Sequence, residues 1–422
     1  MTESETVSPP KGALTIIFFI AMMDLLGFGI IIPLLPLFAK DYHASPVEVG
    51  LLFSIYSACQ FLASPILGMI SDRYGRRPVL VFSQLGSVLG YALLGLVMML
   101  HWNNAAWALL LIYVSRIIDG LSGGNISTAQ AYISDVTTAE TRAKGMGVLG
   151  AAFGVGFALG PAVASLLVGI HPALPGFAAA IFSFSAMTMT WLRLPESRAH
   201  KPAVVADWLH PRRFAPVFRH SRLVQLLSIA FISMAAFSML EAMMALFLSD
   251  KHTFSFSDVK VGFYYTYLGF IIVVVQGGLI GRLTKKCGEW PLAISGAIFV
   301  AVGMGMLASA AIWPGLLILL LGGAVNAVGR SLQTPTLYAL ISQNSDPREQ
   351  GLVFGLNQGL ASVARIVGPA IASIVYTLWI GGPFAVAGLI VLIAGFWTIA
   401  LRTKSDTDEF QLPPDAAAAE SV

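Results

Sequence analysis

The chain contains long stretches without a charged residue, and this feature restricts its fold more than any other. From Gly145 to Leu192 there is no Asp, Glu, Lys or Arg, and a turn around Pro172 and Pro175 is the only interruption. A spanning helix needs about 20 apolar residues, so this stretch predicts two membrane helices and a tight loop. Two further uncharged stretches, one between Glu289 and Arg330 and one from Ile366 to Leu401, each predict another hairpin.

The composition agrees with this prediction. Hydrophobic residues make up 56% of the chain, charged residues only 11%, and the mean hydropathy is +0.78, well outside the range of soluble domains. We therefore predict an all-α polytopic membrane protein with twelve transmembrane helices. Their predicted bounds are 13–39, 47–70, 78–99, 104–133, 143–169, 174–193, 222–249, 259–281, 291–311, 315–341, 349–378 and 383–401.

One long polar segment divides the predicted helices six to six. Residues 194–221 are rich in Pro, Arg and His, which is typical of a linker between domains. The polar amino end leads into a full-length span, so we expect the first helix to be retained and not cleaved as a secretory signal. The predicted parts are an amino-terminal segment 1–12, domains 13–193 and 222–402, the linker, and a tail 403–422.

Lys and Arg residues are concentrated in alternate loops. The opposite loops contain only Lys40, Lys251 and Lys260. Lys and Arg in short loops stay on the cytoplasmic side of a membrane. We therefore expect both termini and the linker to lie on the cytoplasmic side of a cell membrane (inner or plasma membrane). The net charge of +3 then reports orientation and does not indicate nucleic-acid binding. The two cysteines, Cys59 and Cys287, have no spacing for a metal.

The two halves of the chain repeat one another. The stretch "GMISDRYGRRPVL" from Gly68 aligns with "GRLTKKCGEWPLA" from Gly281 at an offset of 213, and "GPAVAS" from Gly160 matches "GPAIAS" from Gly368 at an offset of 208. Two parallel six-helix repeats, with substrate bound between them near the bilayer midplane, are typical of large secondary transporters. The repeat therefore predicts two pseudo-symmetric halves and favours transport.

Four motifs resemble one family. They are G-x-x-x-D-R-x-G-R-R from Gly68 to Arg77, D-x-x-G-x-G-x-x-x-P-x-x-P from Asp24 to Pro36, Y-x-x-R-x-x-x-G-x-x-G from Tyr113 to Gly123, and G-x-x-x-G-P from Gly156 to Pro161. In these residues the chain resembles the major facilitator superfamily, and within it the twelve-helix drug:proton antiporters that include tetracycline efflux proteins. The resemblance implies the major facilitator fold, a central cavity lined by helices 1, 4, 7 and 10, and a monomer.

The resemblance also implies roles for two of these motifs. The helix 5 residues Gly156, Gly160 and Pro161 form the element that the family associates with antiport. The conformational latch residues of the family motif are Gly68, Asp72, Arg73, Gly75, Arg76 and Arg77. Retention of positively charged loops in the cytoplasm explains the arginines but not Asp72. An acid at this position is suited to contact with the amino terminus of helix 11 near Pro347. We expect Asp72 and Arg76 to stabilise the outward-facing state.

Six charged residues lie well inside predicted spans, away from the span ends. A charge at the bilayer centre costs about 2.5–3.5 kcal/mol on insertion scales, so each is a candidate for proton coupling or for the substrate cavity. They are Asp24 in helix 1, Arg116 and Asp119 in helix 4, Glu241 in helix 7, Arg330 in helix 10 and Arg365 in helix 11. Asp24 lies about 16 Å along its helix, near the midplane. The resemblance adds that the helix 4 arginine takes part in proton coupling.

Each of these candidates also has a structural interpretation. Asp24 fits a buried acid bonded to a neighbouring helix or a serine, and Arg116 with Asp119 fits a pair that neutralises itself at i, i+3 spacing. Arg330 and Arg365 fit partners of carboxylates as well as anchors for anionic groups. The methionines beside Glu241 fit ordinary helix packing as well as an adaptable substrate wall.

The leading functional hypothesis is the export of small lipophilic molecules, including cations, in exchange for protons. External protons would neutralise Asp24 or Glu241 before the halves rock. An exporter of an endogenous metabolite or sugar, or a receptor without turnover, would have the same fold. The seven histidines are scattered and no metalloprotease or Walker motif is present, so we predict no enzyme activity, metal or cofactor. The expected partners are a small-molecule substrate, protons and the lipid bilayer.

Overall fold

The computed structural model describes residues 13–123, 125–137, 142–197, 220–345 and 350–410. All regular secondary structure in these ranges is helical, and helices satisfy their own backbone hydrogen bonds, as a bilayer requires. Within the described residues, eleven helices are long and apolar enough to cross a membrane, and a shorter apolar stretch, Gly154–Val168, lies in a twelfth helix. The prediction of an all-α polytopic membrane protein is confirmed.

We number the helices α1 to α12 by span, and three of them contain a break. Their bounds are α1 Ala13–Ile31 and Leu35–Asp41, α2 Pro46–Tyr74, α3 Arg76–Met99, α4 Ala105–Ser122 and Asn125–Val136, α5 Arg142–Val168, α6 Leu174–Arg193, α7 Ser221–Ser249, α8 Asp258–Val274 with the π-helical turn Val275–Leu279 and Ile280–Cys287, α9 Glu289–Ala310, α10 Leu316–Gln343, α11 Gln350–Leu378 and α12 Gly382–Phe410.

Local chemistry explains several of the helix bounds. Ser45 begins α2 with a capping box, in which its backbone N–H donates to Glu48 Oε2 at 2.7 Å and its hydroxyl accepts from the Glu48 N–H at 3.3 Å. The break in α1 includes Pro33, which has no N–H to donate and clashes with the carbonyl four residues earlier. The helix predicted over 13–39 is thus a single span, Leu14–Asp41, interrupted by this short break.

The junctions between α2 and α3 and between α8 and α9 differ from the predicted loops in the same way. Each contains a single non-helical residue, Gly75 with φ +101° and Gly288 with φ +78°, in the region that favours glycine. The residues from Gly68 to Arg77 are therefore helical on both sides of Gly75, and do not form the predicted loop. The aligned glycines of the sequence repeat occupy equivalent turns.

Helices α1 to α6 pack mainly among themselves, as do α7 to α12. The largest contacts between the two groups are α2 with α11 and α5 with α8. Both crossings place a glycine of one helix against a serine of the other. A Cβ on Gly50 of α2 would lie 2.5 Å from Ser373 Cβ of α11, and a Cβ on Gly262 of α8 would overlap the hydroxyl of Ser165 in α5. We call the two groups the first and second half. The domain bounds at 193 and 222 stay predictions, since linker residues 198–219 lie outside the described ranges.

The halves meet at one end of the bundle and separate at the other. At the end opposite the chain termini, Lys40 Nζ donates to the Ser249 carbonyl at 3.1 Å and its hydroxyl oxygen at 2.9 Å. Ser54 donates to the Ile366 carbonyl at 2.7 Å. Toward the termini, a Cβ on Gly154 or Gly355 would meet no described atom within 4 Å. Because the contacts between the halves named here lie toward the opposite end, we infer a cleft between the halves that opens on the side of the termini.

Candidate substrate and proton site

Arg116 and Asp119 of α4 form a closed pair inside the first half. Arg116 Nη1 lies 3.2 Å from Asp119 Oδ2, and both side chains are almost fully buried. Ser87 donates to Asp119 Oδ1 at 2.9 Å, and the Arg116 guanidinium lies over the rings of Tyr56 and Tyr91. Arg116 Nε and Nη2 have no hydrogen-bond partner among the described residues. The pair thus neutralises itself but leaves Arg116 with unused donors.

Asp24 lies on α1 between the closed pair and the open end. It is half-buried, and Ser183 of α6 donates to its Oδ1 at 3.3 Å. Asp24 also lines a small cavity with Leu25 and Gln84, and the buried Gln84 Oε1 has no partner within the described part of the chain. The serine partner agrees with the structural interpretation of Asp24, and the adjoining cavity is lined mainly by apolar side chains.

The second half contains the other three charged residues, and they do not form a closed pair. Glu241, Arg330 and Arg365 are half-buried, and Glu241 lies within electrostatic range of both arginines. Among the described residues, no salt bridge within 4 Å involves any of the three. The side chain of Glu241 also makes no hydrogen bond there. The structure therefore brings these predicted residues together without neutralising them in pairs.

The two arginines of this cluster are held differently. Arg330 Nη1 donates to the Ser233 carbonyl at 3.2 Å, and its guanidinium lies 3.7 Å from the centroid of the Phe237 ring. These contacts attach α10 to α7. Arg365 donates only to Ser362 Oγ, at 3.1 Å, one turn earlier on α11. Arg330 is thus fixed by its surroundings, whereas most of the Arg365 donors are unused within the described part.

An aromatic cluster of the first half, which carries no signal in the sequence, adjoins this charge cluster through Tyr56. Phe28 lies 5.5 Å from Tyr56 and 5.9 Å from Phe157, centroid to centroid. Tyr56 is within electrostatic range of Arg365 and of Asp24, near the point where Ser54 of α2 bonds to α11. The rings come from α1, α2 and α5, so only the packing of three helices brings them together.

The methionines beside Glu241 do not line the cleft in this structure. Met239 is 2% exposed, and Met243 and Met244 are fully buried in the apolar core. Their position supports ordinary helix packing over an adaptable substrate wall.

The latch residues form a network at the open end, within the first half. Arg76 Nη2 lies 2.7 Å from Asp72 Oδ1, and Arg76 Nε lies 3.0 Å from Asp135 Oδ2. Arg73 is exposed beside Tyr74, Arg77 donates to the Trp191 carbonyl, and no group approaches Gly68. The expected partner of Asp72 near Pro347 lies outside the described residues, so that contact stays a prediction.

Two residues of this network were missed by sequence reasoning. Asp135, at the end of α4, accepts from Arg76, and Glu196, beyond α6, accepts from the backbone N–H groups of Arg76 at 2.8 Å and Arg77 at 3.0 Å. A carboxylate here caps the amino terminus of α3 and complements its dipole. In the sequence, Glu196 is distinguished only as an acidic residue just beyond a predicted span.

Replacing Glu196 by glutamine should lower the free energy of unfolding by about 1 kcal/mol, because the cap loses its charge. Thermal unfolding in detergent measures the change. Glu289→Gln is the matched control, since it removes an acid at the equivalent junction, where no side chain caps α9. Equal shifts in the two variants would show that Glu196 does not act as a cap.

The helix 5 motif lies where α1 and α5 are closest. A Cβ on Gly160 would lie 2.6 Å from the Gly29 carbonyl carbon, and a Cβ on Gly156 would lie 2.7 Å from Leu25 Cβ. The Pro161 carbonyl accepts from Ser165 at 2.8 Å and lies beside Gly262 of the other half. These glycines allow α5 to pack between α1 and α8, at a contact between the halves.

Two six-helix halves with charged residues between them are the architecture of large transporters. The chain belongs to the Major Facilitator Superfamily, whose family model matches residues 17–322 and 277–419. It is therefore a multi-pass membrane protein that moves a small-molecule substrate, and the family resemblance of its motifs is confirmed. Among the described residues, no cluster of three His, Cys, Asp or Glu is suited to a metal.

Several relatives are similar over nearly the whole chain. The tetracycline resistance protein of class C from Escherichia coli is 30% identical over 418 residues, covering 93% of this chain and 99% of the relative. Multidrug resistance protein 2 from Bacillus subtilis (strain 168) is 28% identical, covering 95% and 98%. The crystal structure of the human organic anion transporter TETRAN has a TM-score of 0.70 at 24% identity, covering 93% and 100%, and this likeness shows the fold alone.

Proposed function

We propose that this protein exports small lipophilic molecules, including cations, in exchange for protons by alternating access. The observation that carries the proposal is Glu241, a half-buried acid about two thirds of the way along α7 with no ion pair or side-chain hydrogen bond among the described residues. An acid of this kind inside a membrane protein marks an ion or substrate pathway. The similarity to tetracycline and multidrug resistance proteins supports drug efflux.

The cycle uses the cleft described above. In the state of this structure, the substrate enters from the side of the termini and occupies the space between the halves. Protons from the other side then reach Asp24 or Glu241 after the halves have rocked, and displace the substrate. Arg116 supports this exchange by stabilising a nearby carboxylate in its charged form.

The protein functions as a monomer in the cell membrane, with both termini in the cytoplasm. The concentration of Lys and Arg on the side of the termini supports this orientation. The open end of the cleft then faces the cytoplasm, as loading of an exporter requires.

The export proposal is tested in cells with a panel of fluorescent dyes and antibiotics. Cells that produce the protein should accumulate less of at least one compound than cells that produce equal amounts of Glu241→Gln. A protonophore should abolish the difference. Equal accumulation of every compound in the two strains, with or without the protonophore, would contradict the proposal and favour export of a metabolite or sugar.

The latch stabilises the state in which the cytoplasmic end is closed. In the present state Asp72 pairs with Arg76 inside its own half, so the acid is held in place for the amino terminus of α11. Such a charge–dipole contact is worth about 1 kcal/mol. Asp72→Asn should therefore slow turnover about fivefold, while substrate binding and expression stay unchanged.

Lys285→Gln is the control for the latch variant, because Lys285 aligns with Asp72 in the repeat. Transport rates and equilibrium binding are compared in the same preparations. Unchanged turnover in Asp72→Asn, or an equal loss in Lys285→Gln, would exclude the latch.

A further inference from the structure

The offset between the two repeats changes by one residue within α8. Gly50 of α2 and Gly262 of α8, which pack on equivalent serines of the other half, are 212 residues apart. Gly75 and Gly288, which follow the last residues of the same two helices, are 213 residues apart. Between these points α8 therefore contains one residue more than α2.

The π-helical turn of α8, Val275–Leu279, accommodates the extra residue. The Ile280 N–H there donates to the Val275 carbonyl, five residues earlier, so the turn holds one residue more than an α-helical turn. At the equivalent place α2 contains Pro65, which removes a helical hydrogen bond and fixes its own φ. Both helices are thus interrupted at the same point, α2 by a rigid residue and α8 by a π-turn.

Two adjacent glycines of the π-turn are not required by packing. Gly277 and Gly278 are exposed, and a Cβ on either would meet no described atom within 4 Å. In contrast, a Cβ on Gly262 or Gly269, earlier in α8, would lie within 3 Å of α5. Glycine makes a helix less stable than alanine does. The glycine pair therefore weakens α8 at the π-turn without a gain in packing, and makes it easier to bend there.

The two parts of α8 on either side of the π-turn are held differently. Asp258–Val274 packs on α5 of the first half and on α10, whereas Ile280–Cys287 contains no buried residue. The corresponding end of α2 is fixed by Arg76, which pairs with Asp72 and Asp135. Among the described residues, no salt bridge fixes the end of α8. This end is therefore able to move while the first part stays in place.

We propose that the π-helical turn of α8 is a hinge, about which Ile280–Cys287 swings toward the first half when the cleft closes on the side of the termini. This inference rests on the proposed alternating access and adds a bending movement to the rocking of the halves. The moving segment is about 12 Å long. A change of about 20° in its direction displaces its end by about 4 Å.

A distance within the second half distinguishes this hinge from the rocking of a rigid half. Spin labels on the exposed Cys287 and on Ser221→Cys, at the start of α7, are placed in the full-length protein with Cys59→Ser. Pulsed electron paramagnetic resonance then measures their separation. We expect it to change by about 4 Å between the open and the closed state, whereas a rigid half predicts no change.

Two further pairs of labels serve as references for this distance, in protein that lacks both natural cysteines. Ser221→Cys with Arg402→Cys joins the exposed ends of α7 and α12, and its distance should stay constant. Ser221→Cys with Arg193→Cys joins the two halves, and its distance should shorten when the cleft closes. Acidic pH and Glu241→Gln, which mimics a protonated acid, are used to populate the closed state.

Replacing both Gly277 and Gly278 by alanine is expected to stiffen the hinge and to leave the fold intact. Turnover should slow about fivefold or more, because two alanines favour the straight helix by a factor of at least that order. Thermal unfolding in detergent should occur at the same or a higher temperature, since both side chains have room. Gly305→Ala is the matched control, because Gly305 is an exposed glycine within α9 with the same free space, and its turnover should be unchanged.

Two results would overturn the hinge and leave proton-coupled export standing. One is a constant distance from Cys287 to position 221 while the distance between the halves shortens, and the other is normal turnover in the double alanine variant. A distance between the halves that stays the same under every condition would instead contradict alternating access, and the hinge with it.

Discussion

Replacing Gly160 by leucine is expected to abolish export and to destabilise the protein. A Cβ at this position already lies 2.6 Å from the Gly29 carbonyl carbon, so the backbones of α1 and α5 must separate to admit any side chain. Overpacking of this kind costs about 1–3 kcal/mol. Export is affected as well as stability, because α5 also packs on α8 of the other half. Export from cells and thermal unfolding in detergent measure the two effects.

Gly154→Leu is the matched control for this prediction. Gly154 lies on the same helix, but a Cβ there would meet nothing within 4 Å, so a side chain has room. This variant should fold and transport as the wild type does. If both leucine variants lost activity equally, helix flexibility and not close packing would explain the glycines of α5.

Removal of the acids in the cleft is expected to uncouple export from the proton gradient. Asp24→Asn combined with Glu241→Gln should reduce gradient-driven transport to the rate measured without a gradient, because no acid outside the closed Arg116–Asp119 pair then remains among the six charged residues. Of the single variants, Glu241→Gln should have the larger effect, since Asp24 is already hydrogen-bonded to Ser183. Transport by purified protein in vesicles measures the change.

Asp250→Asn controls for the loss of an acid outside the cleft. Asp250 follows α7 at the closed end, where it accepts from the backbone of His252 at 2.8 Å. Its substitution should leave the response to the gradient intact. A double variant of Asp24 and Glu241 that still responds fully would exclude both acids as proton carriers.

The number, type and order of the helices could be predicted because the apolar runs exceed what any soluble fold uses. The repeat also predicted the equivalence of Gly75 and Gly288, which both adopt positive φ. The length of the junctions was mispredicted, since charged residues such as Asp72 and Arg76 suggested a loop. In the structure Asp72 lies in the last turn of α2 and pairs across Gly75 with Arg76, the first residue of α3.

The candidate site was only partly accessible from the sequence. The six membrane charges stand out because charged residues are rare in this chain, but their pairing depends on helix packing. The closed Arg116–Asp119 pair follows from i, i+3 spacing. The proximity of Glu241 to Arg365, in contrast, depends on the packing of two helices that are far apart in sequence. Glu196 and the ring of Phe28 carry no local pattern that distinguishes them from ordinary loop and helix residues.

Transport by the purified protein in vesicles under an imposed pH gradient tests the central claim of proton-coupled export most directly. A dye or antibiotic that cells export is enclosed in the vesicles that contain the protein, and its movement is followed with and without the gradient, in both directions. We expect substrate to move against the direction of proton flow, at a rate that collapses when a protonophore dissipates the gradient. Transport that is indifferent to the gradient and to the protonophore would contradict the account.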